Sequence, residues 1–352
     1  MDKILEKLMG DIFTSALPGI QALTGDLAPF TPFTLYPPRL DSKGFYLGRD
    51  NIGRPVYLDI DALPSLHGVI LGTTGSGKST LARHIALEAW KKGIKVWVID
   101  PHGEAQYRRI ILERMGGKEL DLSVNGFDVL NHEGWVRGDY AQVLSEILVA
   151  SYSLPELFVF EVKKRVLDLY TSGTEDPLLE PLLSFQGDEE VSSLVTQNLY
   201  VTMRGLGGRL SLQRMRVGAQ VLLARLDGIM RSTPPSHTTR LLIIMDEAHN
   251  LFQLYNGSFL SQLYRESRKF GYSILSLVQI PSFLPADIYA LAGFMVYLSG
   301  PKEYVEELAR YSYLTRDNIE WLLYRVRGNA VLSRQGDPRP RNFTVDPDPE
   351  AL

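Results

Sequence analysis

The run Gly72-Thr73-Thr74-Gly75-Ser76-Gly77-Lys78-Ser79 has the spacing G-x-x-x-x-G-K-[ST]. Its glycines let a loop wrap tightly, so that successive backbone N–H groups converge on an anion. A helix beginning near Ser79 presents its positive dipole end to the same charge. In this pattern Gly72 to Thr80 cradle the phosphates of ATP. Lys78 reaches the β- and γ-phosphates, and the Ser79 hydroxyl ligates Mg²⁺. The bland alternative is a glycine-rich turn without a ligand. It is disfavoured because the apolar segment His67 to Gly72 precedes the run and a helical segment, Ser79 to Lys92, follows it.

A second chemical element closes the apolar stretch Leu241 to Met245 with Asp246 and Glu247. Carboxylates at the end of a buried strand lie where ligands bind in open α/β sheets. Asp246 is suited to the Mg²⁺ shell, and Glu247 to accepting the proton of an attacking water. A phosphotransferase has no need of that second acid, so the pair favours hydrolysis. Asp246-Glu247-Ala248-His249 also spells a helicase box, but the tandem second motor that such helicases use is missing.

These residues need a sheet to hold them. His67 to Gly72, the helical segment, and Lys95 to Asp100 form a strand–helix–strand unit of about thirty residues, which implies a parallel sheet. Phe45 to Ile60 reads as two short strands around a turn at Asn51 to Gly53. Further strands are expected at Leu241 to Asp246, Tyr272 to Gln279, Phe294 to Ser299 and Asn329 to Ser333. The stretch between about 140 and 231 carries helical periodicity and no comparable strand signal.

The expected organisation has five parts. Residues 1–43 form an N-terminal helix and irregular arm. Residues 44–139 are the first part of an ATPase core, 140–235 a helical insertion, 236–335 the second part of the core, and 336–352 an extended tail. Ile4, Leu5, Leu8, Ile12 and Phe13 fall at helical spacing, suited to docking on the domain, on a partner or on a membrane surface.

Composition removes several classes. The 352 residues contain no cysteine, which excludes disulfide scaffolds, Cys-ligated zinc and thiol nucleophiles. Lysine and arginine number 37 against 41 acids, a formal net charge of −4, so there is no globally basic coat. No signal peptide or membrane span is visible, and the expected location is the cytoplasm, with association at the inner membrane face through a partner. A local asymmetry exists: Val191 to Leu226 contains Arg204, Arg209, Arg214, Arg216 and Arg225 and no acid. Such a patch suits the phosphate backbone of DNA. The competing reading pairs these arginines with acids from residues 175–190.

Taken together, Leu71 to Thr80, Ile99 to Glu104 (IDPHGE), Ile244 to Leu251 (IMDEAHNL), Ser267 to Gly271 (SRKFG) and Leu277 to Ser282 (LVQIPS) resemble the HerA–FtsK superfamily, in its HerA and conjugation-ATPase branch. The resemblance covers about residues 45–345. It implies an α/β fold: a RecA-like P-loop NTPase with a mainly parallel central sheet and a helical insertion. It implies a Mg²⁺-dependent ATP hydrolase that assembles as a homo-oligomer, expected to be a hexamer, and translocates double-stranded DNA for transfer, processing or packaging. It also implies a membrane-channel or nuclease partner. The alternative is a type IV secretion or pilus-assembly ATPase acting on protein at a membrane complex. Catalytic roles fall on Lys78, Glu247, Gln279 and Arg268. Gln279 senses the γ-phosphate or orients water, and Arg268, with Arg265 as second choice, is donated into the neighbouring subunit's site. Asp100, His102 and Glu104 match a motif near the nucleotide, without an assigned job. The expected DNA contacts are Arg204, Arg209, Arg214 and Arg216.

Overall fold

The computed structural model describes residues 43–173, 176–203, 209–252, 259–324, 326–337 and 339–352, the side chains of residues 209–211 and 252 excepted. The expected N-terminal arm and Arg204 lie outside these residues, as does the side chain of Arg209.

Among the described residues, eleven strands form one sheet in the order β2-β1-β11-β10-β9-β3-β8-β7-β4-β6-β5. They are β1 (Phe45–Arg49), β2 (Pro55–Leu58), β3 (Gly68–Leu71), β4 (Lys95–Asp100), β5 (Lys118–Asp121), β6 (Leu199–Thr202), β7 (Leu241–Met245), β8 (Tyr272–Val278), β9 (Phe294–Leu298), β10 (Asn329–Arg334) and β11 (Arg341–Val345). From β9 to β5 every pairing is parallel. From β9 outward through β10, β11, β1 and β2 every pairing is antiparallel. The parallel strands β3, β7 and β8 are buried along their whole length, as a sheet covered on both faces requires.

Among the described residues, the helices of eight or more residues are α1 (Lys78–Lys91), α2 (Arg137–Ser151), α3 (Phe158–Ser172), α4 (Arg209–Arg231), α5 (Phe259–Ser267), α6 (Lys302–Tyr311) and α7 (Arg316–Leu323). Two apolar clusters lie on the two faces of the sheet. One gathers Trp97, Ile99, Ile243 and Met245 with residues of α2 and α4. The other gathers Val96, Val98, Leu242 and Ile244 with Leu81, Ile85 and Ala89 of α1. Successive residues of one strand alternate between the clusters, the period of two that a pleated strand imposes.

Three segments depart from expectation. β6 is a strand in the middle of the stretch expected to be helical. It lies between β4 and β5, and all four of its residues are buried. β5 was not expected; it is the sheet edge, where only Leu120 is buried. The tail is not simply extended: β11 pairs with β10 and β1, tying the hairpin to the parallel core.

Candidate functional site

The phosphate loop connects the end of β3 to α1. Gly75 and Gly77 have φ of 78° and 104°, backbone conformations that side chains resist. A Cβ at either position would meet nothing within 4 Å, so the loop encloses open space on that side. Leu81 N–H donates to Gly77 O at 2.9 Å, starting α1 at the loop. Lys78 is buried and its Nζ donates to Thr73 O at 3.4 Å. Burial lowers the lysine's pKa against the pull of Glu247, Asp246 and Glu104. Ser76 Oγ is buried and has no hydrogen-bond partner.

Asp246 and Glu247 follow β7. Asp246 N–H donates to Ile99 O at 3.0 Å, and Ala248 N–H to Leu277 O at 2.9 Å, so the turn is fastened to the strands on both sides. Glu247 has φ of 49°, one of two positive values among non-glycine residues described. That conformation costs roughly 1–2 kcal/mol, repaid by the fastened turn. Its carboxylate accepts from Gln279 Nε2 at 2.6 Å, and His249 Nδ1 lies 3.2 Å from the other oxygen. Burial holds the His249 pKa below its ordinary value.

Ser79 Oγ lies between two carboxylates: Glu104 Oε1 at 3.3 Å and Asp246 Oδ2 at 3.4 Å. Burial pushes the Asp246 pKa up to about 7, with the charges of Asp100, Glu104 and Glu247 adding to the effect. Asp100 itself is spent on structure. Its oxygens accept from the N–H groups of His102, Gly103 and Glu104 and from Tyr200 OH, which shapes the turn that delivers Glu104. A cavity of about 400 Å³ joins Gly75, Gly77, Lys78, Ser79, Thr80, Arg83, Glu104, Gln106 and Arg327. Arg83, Gln106 and Arg327 were not expected there. Arg83 carries a legible signal, one helical turn after Ser79; Arg327, in the loop before β10, carries none.

These groups suit a nucleotide with Mg²⁺. The orphaned Ser76 hydroxyl, the open side of the glycine loop and a buried ammonium fit phosphate oxygens. A hydroxyl flanked by carboxylates fits a small divalent cation, which usually takes one or two protein carboxylates and keeps several waters. Among the described residues, no group of three or more His, Asp or Glu stands ready to hold a metal by itself.

The remaining candidates lie elsewhere. Arg268 and Arg265 are exposed near the N-terminal end of β8, Arg265 3.9 Å from Asp287. Gln279 is at the other end, a strand length of roughly 20 Å away. The expected DNA-binding surface needs correction. Arg216 is 8% exposed and donates to Asn250 O at 2.7 Å. Arg225 is fully buried against Asp128, 2.6 Å away. Arg214 is partly exposed and 3.4 Å from Glu180, the pairing with the 175–190 acids that was the competing reading. The apolar stretches of α4 explain this: a helix that buries most of its circumference takes its arginines inside and must pair them there.

A family model described as the central domain of the helicase HerA matches residues 44–132. The probable DNA double-strand break repair helicase HerA of Methanocaldococcus jannaschii is 47% identical over 75 residues, which are 21% of this chain and 14% of that one. An uncharacterised protein of Aquifex aeolicus is 40% identical over 57 residues, 16% of this chain and 21% of that one. The chain therefore matches only a minor part of either relative's length. The fold is similar to VirB4 of Thermoanaerobacter pseudethanolicus, with a TM-score of 0.69 at 17% identity over 88% of this chain and 98% of that one. It is also similar to the plasmid coupling protein TrwB in complex with ADP and Mg²⁺, with a TM-score of 0.61 at 15% identity over 93% of each chain. The glycine loop and Glu104 thus lie in a segment similar to the HerA central domain, and the glycine loop, the paired acids after β7 and the mostly parallel sheet together have the fold of a RecA-like P-loop NTPase.

Proposed function

We propose that this chain is a Mg²⁺-dependent ATP hydrolase that assembles as a ring, with a hexamer the expected state, and moves double-stranded DNA. The observation that carries the hydrolytic part is the Gln279–Glu247 contact of 2.6 Å, formed beside Lys78 at the open face of the phosphate loop. The segment that matches HerA supplies the glycine loop and Glu104, which ties the reading to a DNA motor.

In this reading the backbone of Gly72 to Thr80 and the Lys78 ammonium hold the phosphates. Ser79 and Asp246 would hold Mg²⁺, which would supply positive charge against the phosphate oxygens. Glu247 takes a proton from the attacking water, and Gln279 keeps that carboxylate and the water in register. Arg268 stands at the opposite end of β8 from its own phosphate loop, which suits a guanidinium given to a neighbouring subunit and not to its own site.

One observation favours protein as the cargo. Arg216 and Arg225 are withdrawn from the surface, while Leu157 and Phe160, around the start of α3, are 75% and 78% exposed. Steady-state ATP hydrolysis with and without long double-stranded DNA, at low and moderate salt, separates the readings. Salt-sensitive stimulation supports a DNA motor. Turnover indifferent to DNA supports a secretion or pilus-assembly ATPase at a membrane complex, and no turnover refutes both.

A further inference from the structure

Arg83 is 6% exposed and projects from α1 into the space between the phosphate loop and the end of the chain. Its three nitrogens serve three segments. Nε donates to Ala351 O at 2.8 Å, Nη1 to Glu104 Oε2 at 3.0 Å and Nη2 to Thr80 Oγ1 at 3.2 Å. Its guanidinium also stands 5.5 Å from the centre of the Tyr107 ring. A planar fork with fixed donor directions transmits position in a way that a flexible ammonium does not.

The Glu104 oxygen that Arg83 leaves free is the one that faces Ser79 Oγ at 3.3 Å. Asp246 approaches the same hydroxyl at 3.4 Å. One hydroxyl has one proton and cannot satisfy two carboxylates, so the pair concentrates negative charge at the point where Ser79 would meet a divalent cation.

The Ala351 carbonyl is itself anchored. Lys91 Nζ is 2.6 Å from Asp348 Oδ2, Arg114 Nε is 2.8 Å from Glu350 Oε2, and Asp348 N–H donates to His84 Nδ1 at 2.9 Å. The Lys91 ammonium and a backbone N–H hold the Asp348 carboxyl below its ordinary pKa. Ala351 is fully buried. The segment after β11 is thus pinned along α1, the helix that begins at the phosphate loop.

We propose that Arg83 is a positioning residue, set by the segment 346–352, that aims Glu104 at the Mg²⁺ held by Ser79 and Asp246. The proposal rests on the reading of this loop as a Mg²⁺·nucleotide site. It makes Glu104 a contributor to metal affinity and makes the chain's last residues a part of the site's support.

The test uses the full chain and a fluorescent ADP analogue, with Mg²⁺ titrated at fixed nucleotide, alongside thermal unfolding without metal. Arg83→Lys, Glu104→Gln, and the pair Asp348→Ala with Glu350→Ala, neither residue buried, are compared with the parent. The last needs no buried substitution and covers the case in which Arg83→Lys does not fold. Each variant is expected to need about 10-fold more Mg²⁺ for half-saturation, a typical effect of removing support behind a metal ligand. Metal-free binding of the analogue should stay within about twofold. Arg83→Lys combined with Glu104→Gln should be no worse than Glu104→Gln alone, because Arg83 acts through Glu104. An unchanged Mg²⁺ requirement, an additive double variant, or parallel loss of metal-free binding would overturn the inference while leaving the nucleotide site standing. Failure of the parent protein to bind the analogue would overturn the site reading, and the inference with it.

Discussion

Gln279 Nε2 donates to Glu247 Oε1 across 2.6 Å, joining the residue after β8 to the residue after the Asp246 that ends β7's run. The two strands are adjacent and parallel, so their ends emerge side by side. Glu247 makes the contact from a left-handed backbone, and its charge acts on the Lys78 ammonium. A strained residue held by its neighbours is characteristic of sites where geometry is selected over comfort.

On the proposed mechanism, Glu247→Gln keeps the side chain's size and removes the proton acceptor. ATP turnover should fall by about 10²–10⁴-fold, the usual contribution of a general base, while nucleotide affinity changes little. Gln279→Ala should lower turnover less and leave Asp246 untouched. Lys78→Ala should instead abolish productive binding. Paired measurements of kcat and nucleotide affinity separate the three. If Glu247→Gln turns over at the parent rate, the base lies elsewhere.

Stability should depend on pH through His67. It sits just before β3, its Nδ1 accepting from Ile274 N–H at 3.1 Å and its Nε2 bonded to Tyr264 O at 2.7 Å. Burial pushes its pKa down to about 4, from about 6.5 in an unfolded chain. Between those values the unfolded chain takes up a proton that the folded one refuses. The neutral ring's stabilisation is therefore complete above pH 6.5 and is lost as pH falls towards 4. The full difference is on the order of 3 kcal/mol. Urea unfolding at pH 5 and pH 7 should show a smaller difference in His67→Gln than in the parent. Equal differences would mean that other groups, His84 among them, carry the dependence.

The site was legible where chemistry-bearing residues end long apolar runs. Leu241 to Met245, five apolar residues closed by two acids, reads as a buried strand, and it delivers Asp246 and Glu247 to the carboxyl end of the sheet. β6 was not legible because four buried residues show no period that distinguishes strand from helix. β5 reads as polar because an edge strand buries only Leu120. The inward arginines were misread for a different reason. Arg225 is neutralised by Asp128, 97 residues away, and Arg216 bonds to a carbonyl 34 residues away. Nothing local in the Val191 to Leu226 stretch announces partners at such separation. Arg83 had a local signal, its place one turn after Ser79, but its partners Glu104 and Ala351 lie 21 and 268 residues away.

The arginines of α4 should therefore separate by role. Arg225→Ala would leave the Asp128 carboxylate without its buried partner and should cost about 3–5 kcal/mol. Arg214→Ala, in a partly exposed pair, should cost less than about 1 kcal/mol. If the chain binds DNA through Arg204, Arg209 and Arg214, replacing all three should weaken binding. The slope of log affinity against log salt should then fall by about 0.9 for each phosphate that is no longer neutralised. An unchanged slope with weakened stability would assign these arginines to the fold.

Arg268 is the residue whose role depends most on assembly. It occupies the turn between α5 and β8, at the end of the sheet remote from the chain's own phosphate loop. An isolated subunit therefore cannot bring this guanidinium to its own γ-phosphate, and nucleotide binding should not need it. Arg268→Ala should bind nucleotide as the parent does and lose about 10³–10⁵ in turnover, the range seen for arginines supplied to phosphoryl transfer. Mixing provides the decisive measurement. Arg268→Ala subunits retain an intact Glu247, and Glu247→Gln subunits retain an intact Arg268. Rings containing both have some interfaces with a complete set, so the mixture should recover activity that neither variant shows alone. Absence of recovery, in rings shown to contain both chains, would remove Arg268 from the shared site and turn attention to Arg265.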